Sequence, residues 1–291
     1  VLILTLAGIK ISHINLIAYL AYISFLLYFF FNLKNYYFEK NLKYFLITFI
    51  SIVFIFSIDL SYNLTLFWDA KKMWLPKALV FYNDGSISDL KETAYSHYSF
   101  YGSLVWAFFW KFSNISNEYI GRIFYIVIFC FALFNFLDLS KIKLEKKIIF
   151  FLLLNLLIYN YWHFRGTQEI LVFSFLLISS KFLFDSIVEN KNIKFNLIFI
   201  FSFLNLIIWT KNEGIILSLI ILIILLFFLK ENIKTKLYLF CILILIILFR
   251  FASFKFNGLD FDLSQDFDFL NIPQIFLENL KIVNILIISK Y

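Results

Sequence analysis

One carboxylate in this chain stands among three lysines and two indoles. In Leu66–Gly85, LFWDAKKMWLPKALVFYNDG, Asp69 lies between Trp68 and Trp74 and within a turn or two of Lys71, Lys72 and Lys77. On a helix from Trp68 to Val80, Asp69, Lys72 and Met73 would share a face, with Lys77 one turn further on. A carboxylate beside cations suits transfer of a group away from a phosphate: the base takes the acceptor's proton and the cations hold the departing phosphate. Such a leaving group needs charge stabilisation and no protonation. One acid residue can then suffice, whereas most glycoside hydrolysis uses a pair. The plainer reading of Asp69 is a surface ion pair with its lysines.

Three further polar segments interrupt the apolar chain. Ser96–Gly102 (SHYSFYG) leads into an amphipathic stretch, Ser103–Lys111, and His163–Glu169 (HFRGTQE) enters a hydrophobic run. The last, Trp209–Gly214 (WTKNEG), is charged where a plain turn would suffice. Together with the first segment they supply Lys72, Lys77, His97, Tyr98, Arg165, Glu169, Lys211 and Glu213 as candidate substrate-binding residues around Asp69. For Lys211 and Glu213 a capped, solvated turn is an equally good reading.

The elements that must position these residues are membrane helices. The chain has 291 residues, 62% of them hydrophobic and 42 of them Phe, with a mean hydropathy of +0.87, well outside the soluble globular range. An AT-rich genome would produce the same excess of Phe, Ile, Leu, Asn and Lys, so the Phe content carries no functional weight. Runs of roughly 17 to 25 apolar residues mark spans, and candidates lie near 11–32, 43–58, 119–138, 147–161, 168–186, 195–210, 214–230, 236–252 and 276–290. None shows the alternation of a barrel strand, and only helices otherwise satisfy their own backbone in hydrocarbon. The expected fold is an all-α polytopic membrane protein of about nine transmembrane helices, one domain over 1–291, with one large extracytoplasmic loop, 59–118, carrying short amphipathic helices. A start at Val1 inside an apolar run and an end at Tyr291 read as a piece truncated at both ends.

Lysines crowd alternate loops: Lys34, Lys40 and Lys43; Lys141, Lys143, Lys146 and Lys147; Lys191 and Lys194; Lys230, Lys234 and Lys236. By the positive-inside rule these loops face the cytoplasm, and the net charge of +7 is a topology signal rather than a nucleic-acid patch. The polar segments then share the opposite face. All six Trp fall on or beside that face, as do His97, His163, Met73 and Pro76; this reads as a substrate-facing surface or, more plainly, as interfacial anchoring. Cys130 and Cys241 lie inside predicted spans and suggest neither a disulfide framework nor a metal site.

In combination, the segments resemble the GT-C superfamily of membrane glycosyltransferases, which includes the protein O-mannosyltransferases and aminoarabinose transferases. The resemblance rests on WDAKKMWLPKA (Trp68–Ala78), SHYSFYGSLVWAF (Ser96–Phe108), Gly166–Glu169 and Lys211–Gly214, and covers roughly Trp68 to Gly214. It implies an inverting transferase of the bacterial inner membrane, working at the periplasmic face. The donor would be a polyprenyl-phosphate-linked sugar, the acceptor a lipid, glycan or protein, with Asp69 as catalytic base. Divalent cations are used by some relatives and not by others. The chain departs from the pattern at Ser99, where Pro is expected, and at Gln168, where Asp is expected, which puts the roles of His97 and Glu169 in question more than that of Asp69.

Other classes fit less of the pattern. A lipid-linked oligosaccharide flippase or small-solute transporter should carry ionisable residues and helix breaks near the bilayer midplane, whereas here polar residues sit at span ends. An O-antigen polymerase or ligase would depend mainly on outer-loop arginines, and only Arg165 and Arg250 are available for that. A non-catalytic scaffold would not require charged turns on one face.

Overall fold

The computed structural model describes residues 1–32, 40–137, 139, 143–189 and 192–259. Those residues are helical with no strand among them, in the order α1 (Leu2–Leu6), α2 (Ile11–Asn32), α3 (Lys40–Tyr62), α4 (Leu75–Tyr82), α5 (Tyr101–Phe112), α6 (Tyr119–Leu137), α7 (Leu144–Ile158), α8 (Glu169–Ile187), α9 (Ile193–Thr210), α10 (Gly214–Phe228) and α11 (Ile233–Phe256). Five segments, Tyr44–Tyr62, Tyr119–Leu137, Glu169–Ile187, Ile193–Thr210 and Ile233–Phe256, are long and apolar enough to cross a membrane. The protein is an all-α membrane protein. Each predicted run up to 236–252 carries a helix, and the run 276–290 lies outside the described residues.

The core has two parts, and they divide by chemistry. Aliphatic and Phe side chains from α3, α6, α7, α8, α9, α10 and α11 fill the larger, including Phe129, Phe151, Phe175, Leu204, Ile221 and Leu243. The smaller cluster lies at the polar end and holds the buried indoles of Trp74, Trp106, Trp110 and Trp209 with Phe81, Phe100 and Phe254, among aliphatic side chains such as Ile87, Leu90 and Leu104. The indoles therefore do not line an exposed working surface as expected. Trp74, Trp106, Trp110 and Trp209 are buried, and Trp68 alone of the described indole side chains is exposed, at 57%. Burial is possible because indole N–H groups find carbonyls: Trp106 donates to Glu118 O at 2.9 Å and Trp110 to Ile115 O at 3.1 Å.

A second departure concerns α5. The amphipathic stretch Ser103–Lys111, expected among the short amphipathic helices of the outer loop, forms α5, but α5 is buried almost all round, from Gly102 to Phe108 and again at Trp110. It is the hub of the polar end, packed against α2, α4, α6 and α9. Its small residues make this possible. A methyl group on Gly121 of α6 would come within 2.3 Å of the Trp106 carbonyl oxygen, so glycine there permits an approach to the α5 backbone that a side chain would block, while one on Gly102 would come within 1.3 Å of Gln168 Oε1 and displace that side chain.

Candidate functional site

Trp68 and Asp69 begin a helical turn that widens into a π turn over Ala70–Trp74 before α4 takes over at Leu75, with Pro76 in its first turn. A π turn inside a helix is rare and often accompanies function. Ala70, Met73, Trp74, Lys77, Ala78 and Phe81 form the buried stripe of this segment. Lys71 and Lys72 are exposed on the other side. Asp69 is half-buried, and among the described residues its carboxylate forms neither a hydrogen bond nor an ion pair. The expected pairing of Asp69 with Lys71, Lys72 and Lys77 is thus absent. Lys77 points into the protein, fully buried, where its ammonium donates to Tyr98 O at 2.7 Å and lies 5.5 Å from the Trp74 ring. Its place on the stripe was readable from the i, i+3, i+4, i+7 spacing with Ala70, Met73, Trp74 and Ala78.

The polar segments predicted on one face close into a ring. The first meets the third where Phe67 N–H donates to Arg165 O at 3.1 Å and Ala70 packs against Gly166. Gly166 has φ +87°, and a methyl group there would be 3.0 Å from Ala70 Cβ and 2.9 Å from the Trp106 ring, so this approach needs glycine twice over. The first meets the second through the Lys77–Tyr98 bond and through Ser103 Oγ, which donates to Trp74 O at 2.8 Å. The second meets the third at Gly102 and Gln168, and Tyr125 on α6 donates to Gly102 O at 3.0 Å while accepting from Gln168 Nε2 at 3.1 Å. Third and fourth are joined by an ion pair, Lys211 Nζ to Glu169 Oε1 at 2.7 Å, with Glu213 Oε1 3.5 Å from the same ammonium. Burial alone would lower the Lys211 pKa, but its two carboxylate partners outweigh it and lift the group above its ordinary value.

Arg250, near the end of α11, ties the second segment to the fourth. Its guanidinium is fully buried and donates to Ile208 O at 2.5 Å, to Ser99 Oγ at 2.7 Å and to Asn212 Oδ1. Ser99 Oγ also donates to Asn212 Oδ1 at 3.1 Å. The Ser99 hydroxyl accepts from the arginine, which a proline at that position could not do. Arg122, at the start of α6, plays a similar part. It is fully buried, bidentate to Glu118 at 3.0 and 2.7 Å, and donates to Phe164 O at 2.9 Å. Sequence reasoning passed over Arg122 altogether and left Arg250 without a role. The available signals were the Glu118–Arg122 spacing of one turn and the expense of any cation inside a span, which marks a built partner.

The remaining candidates lie around this ring. His97 is half-exposed, its ring 4.8 Å from that of Tyr98, and the Tyr98 ring meets Trp74 edge-on at 6.1 Å. Arg165 is half-buried; Glu169 is exposed at 57% of its side chain. Beside Glu169 opens an apolar cavity of about 250 Å³ lined by His163, Phe129, Ile158, Ile170 and Phe173. No three His, Cys, Asp or Glu side chains gather among the described residues in a way that could hold a metal ion.

No protein-family model, characterised protein or solved structure matches this chain. The ring must be understood from its own chemistry. It sets a half-buried carboxylate that has no partner among the described residues, a partly exposed Lys–Glu pair and an apolar cavity at one end of a helical bundle. The lysine-bearing turn Leu229–Asn232, between α10 and α11, lies at the other end, since helices of this up-and-down order alternate in direction.

Proposed function

We propose that this chain is an inverting membrane glycosyltransferase that moves a sugar from a polyprenyl-phosphate donor to an acceptor on the face of the membrane opposite the lysine-rich loops. In this reading the fold comprises about nine spans, with 59–118 as the catalytic outer loop. Asp69 is the base. It takes the proton of an acceptor hydroxyl as that oxygen attacks the anomeric carbon; the bond from carbon to phosphate oxygen breaks, its electron pair leaves with the phosphate, and the configuration at carbon inverts. In this reading Lys211, Arg165 and His97 meet the phosphate charge, Lys211 by exchanging its carboxylate partners for the phosphate.

The observation that supports this most is the convergence of segments from Asp69 to Lys211 on one end of the bundle, with the Asp69 carboxylate left without a hydrogen bond or ion pair among the described residues. A surface ion pair would have engaged that carboxylate; a base must keep it available. The test is sugar transfer in membranes supplied with polyprenyl-phosphate sugars. Asp69→Asn should cut the rate by about 100-fold or more with expression and thermal stability unchanged, and full activity in that variant would remove Asp69 from the mechanism.

A further inference from the structure

Away from the ring, α9 carries polar groups into hydrocarbon. A groove of about 380 Å³ runs between α9 and α11, walled by Leu197, Phe201, Leu239 and Ile246, with Ser202 and Asn205 set into it. The side chains flanking it, Phe195, Ile198, Ile242 and Leu245, are exposed. Ser202 donates to Ile198 O of its own helix at 2.7 Å, which leaves its lone pairs open. Asn205 is half-buried and forms no side-chain hydrogen bond among the described residues. In other membrane helices Asn135 and Asn155 each donate to a carbonyl one turn back, at 3.1 and 2.7 Å, whereas Asn15 of α2, buried inside the chain and out of reach of a second copy, also has no hydrogen bond among the described residues.

An amide without a partner in lipid is costly, and a lipid tail offers it nothing. A carboxamide is its own complement, donor on one side and acceptor on the other. Two copies of α9 related by a two-fold axis satisfy both halves at once, each Asn205 donating to the other. We propose that the groove between α9 and α11 is a homodimer face, in which a second copy of this chain seats its α9 with the two Asn205 side chains paired and Ser202 beside them. This inference is independent of the catalytic reading.

Disulfide trapping in native membranes tests it. Cys241 is an exposed thiol on α11, and Cys130 is buried, so Cys241→Ser provides the background and Ser202→Cys the probe. Oxidation should yield a covalent dimer, and photobleaching of labelled protein in vesicles should count two copies without oxidation. Asn205→Leu should weaken association roughly tenfold, while Asn205→Gln should retain most of it. Thermal unfolding of Asn205→Leu should match wild type, since the change places an apolar group in an apolar groove. A monomer in vesicles, or a dimer indifferent to Asn205→Leu, overturns the proposal. So does a disulfide formed within one chain between Ser202→Cys and a cysteine placed in the run 276–290, which would make that run the occupant.

Discussion

Replacing Arg250 by methionine keeps most of the side-chain volume and removes the charge that joins α11 to the second and fourth segments. Wild-type Arg250 donates to Ile208 O, Ser99 Oγ and Asn212 Oδ1, and a hydrogen bond involving a charged group contributes about 1.5–3 kcal/mol. Summing them overstates the loss, because burying a guanidinium itself costs several kcal/mol. What the substitution leaves behind is a carbonyl, a hydroxyl and an amide in a dry interior, each costing about 1–3 kcal/mol unpaired. Ser99 and Asn212 can still bond each other, which holds the net near the about 3–5 kcal/mol seen when one partner of a buried network is removed. For a chain of this size that lowers Tm by on the order of 10 °C. Arg250→Lys should fall between, since an ammonium lacks the planar fork that reaches two segments together. Thermal unfolding of the purified proteins in detergent measures all three. A drop of less than about 2 °C for Arg250→Met, or full recovery with lysine, would refute the view that this guanidinium clamps the ring.

Gly121→Ala should be worse than Gly102→Ala: the first drives a methyl into the Trp106 backbone carbonyl and the second into the tip of the Gln168 side chain, so Gln168→Ala in a double variant should recover much of the roughly 1–3 kcal/mol lost at Gly102 and none of that lost at Gly121, as denaturation of the four proteins would reveal. Asp84 accepts from Ser12 N–H at 2.9 Å and pairs with Lys111 at 2.7 Å; burial raises its pKa, but these partners outweigh that and hold it below the ordinary carboxylate value. Its contribution is therefore present at neutral pH and lost as pH falls through the folded-state value, so the stability gap between wild type and Asp84→Asn should close in acid. Lys211 has the opposite sign: with its pKa raised, the gap between wild type and Lys211→Met should be flat over about pH 6 to 9 and should narrow only as pH rises through the folded-state value, above the ordinary 10.5.

Much of the bundle was legible in the residues because lipid is a severe solvent. A segment such as Ile233–Phe256 has little choice in hydrocarbon but to become a helix, and α3 ran past its predicted end to Tyr62 because Asp59 is answered by the Tyr159 hydroxyl and by Asn63. Where the pattern misled, packing had overruled periodicity. Ser103–Lys111 looked amphipathic, yet aromatic side chains all round α5 found partners on every side. At the site, residue types and their common face could be read from the chain, and the meeting of Glu169 with Lys211 was within reach of that reading. The direction of Lys77 and the roles of Arg122 and Arg250 were not drawn from it.

By itself, the sequence determined that this is a helical membrane protein and that its polar segments fall between helices at span ends, since length, apolarity and charge distribution are local properties. Tertiary structure decided which of those polar groups would touch. Lys211 finds Glu169 across 42 residues of sequence and Arg250 finds Ser99 across 151. Such pairings depend on how helices cross and where a glycine lets them approach, which no short stretch of chain specifies. The same packing withdrew Lys77 from Asp69 and left that carboxylate without a partner among the described residues, because Lys77 falls on the stripe that Ala70, Met73, Trp74 and Ala78 bury against the rest of the protein.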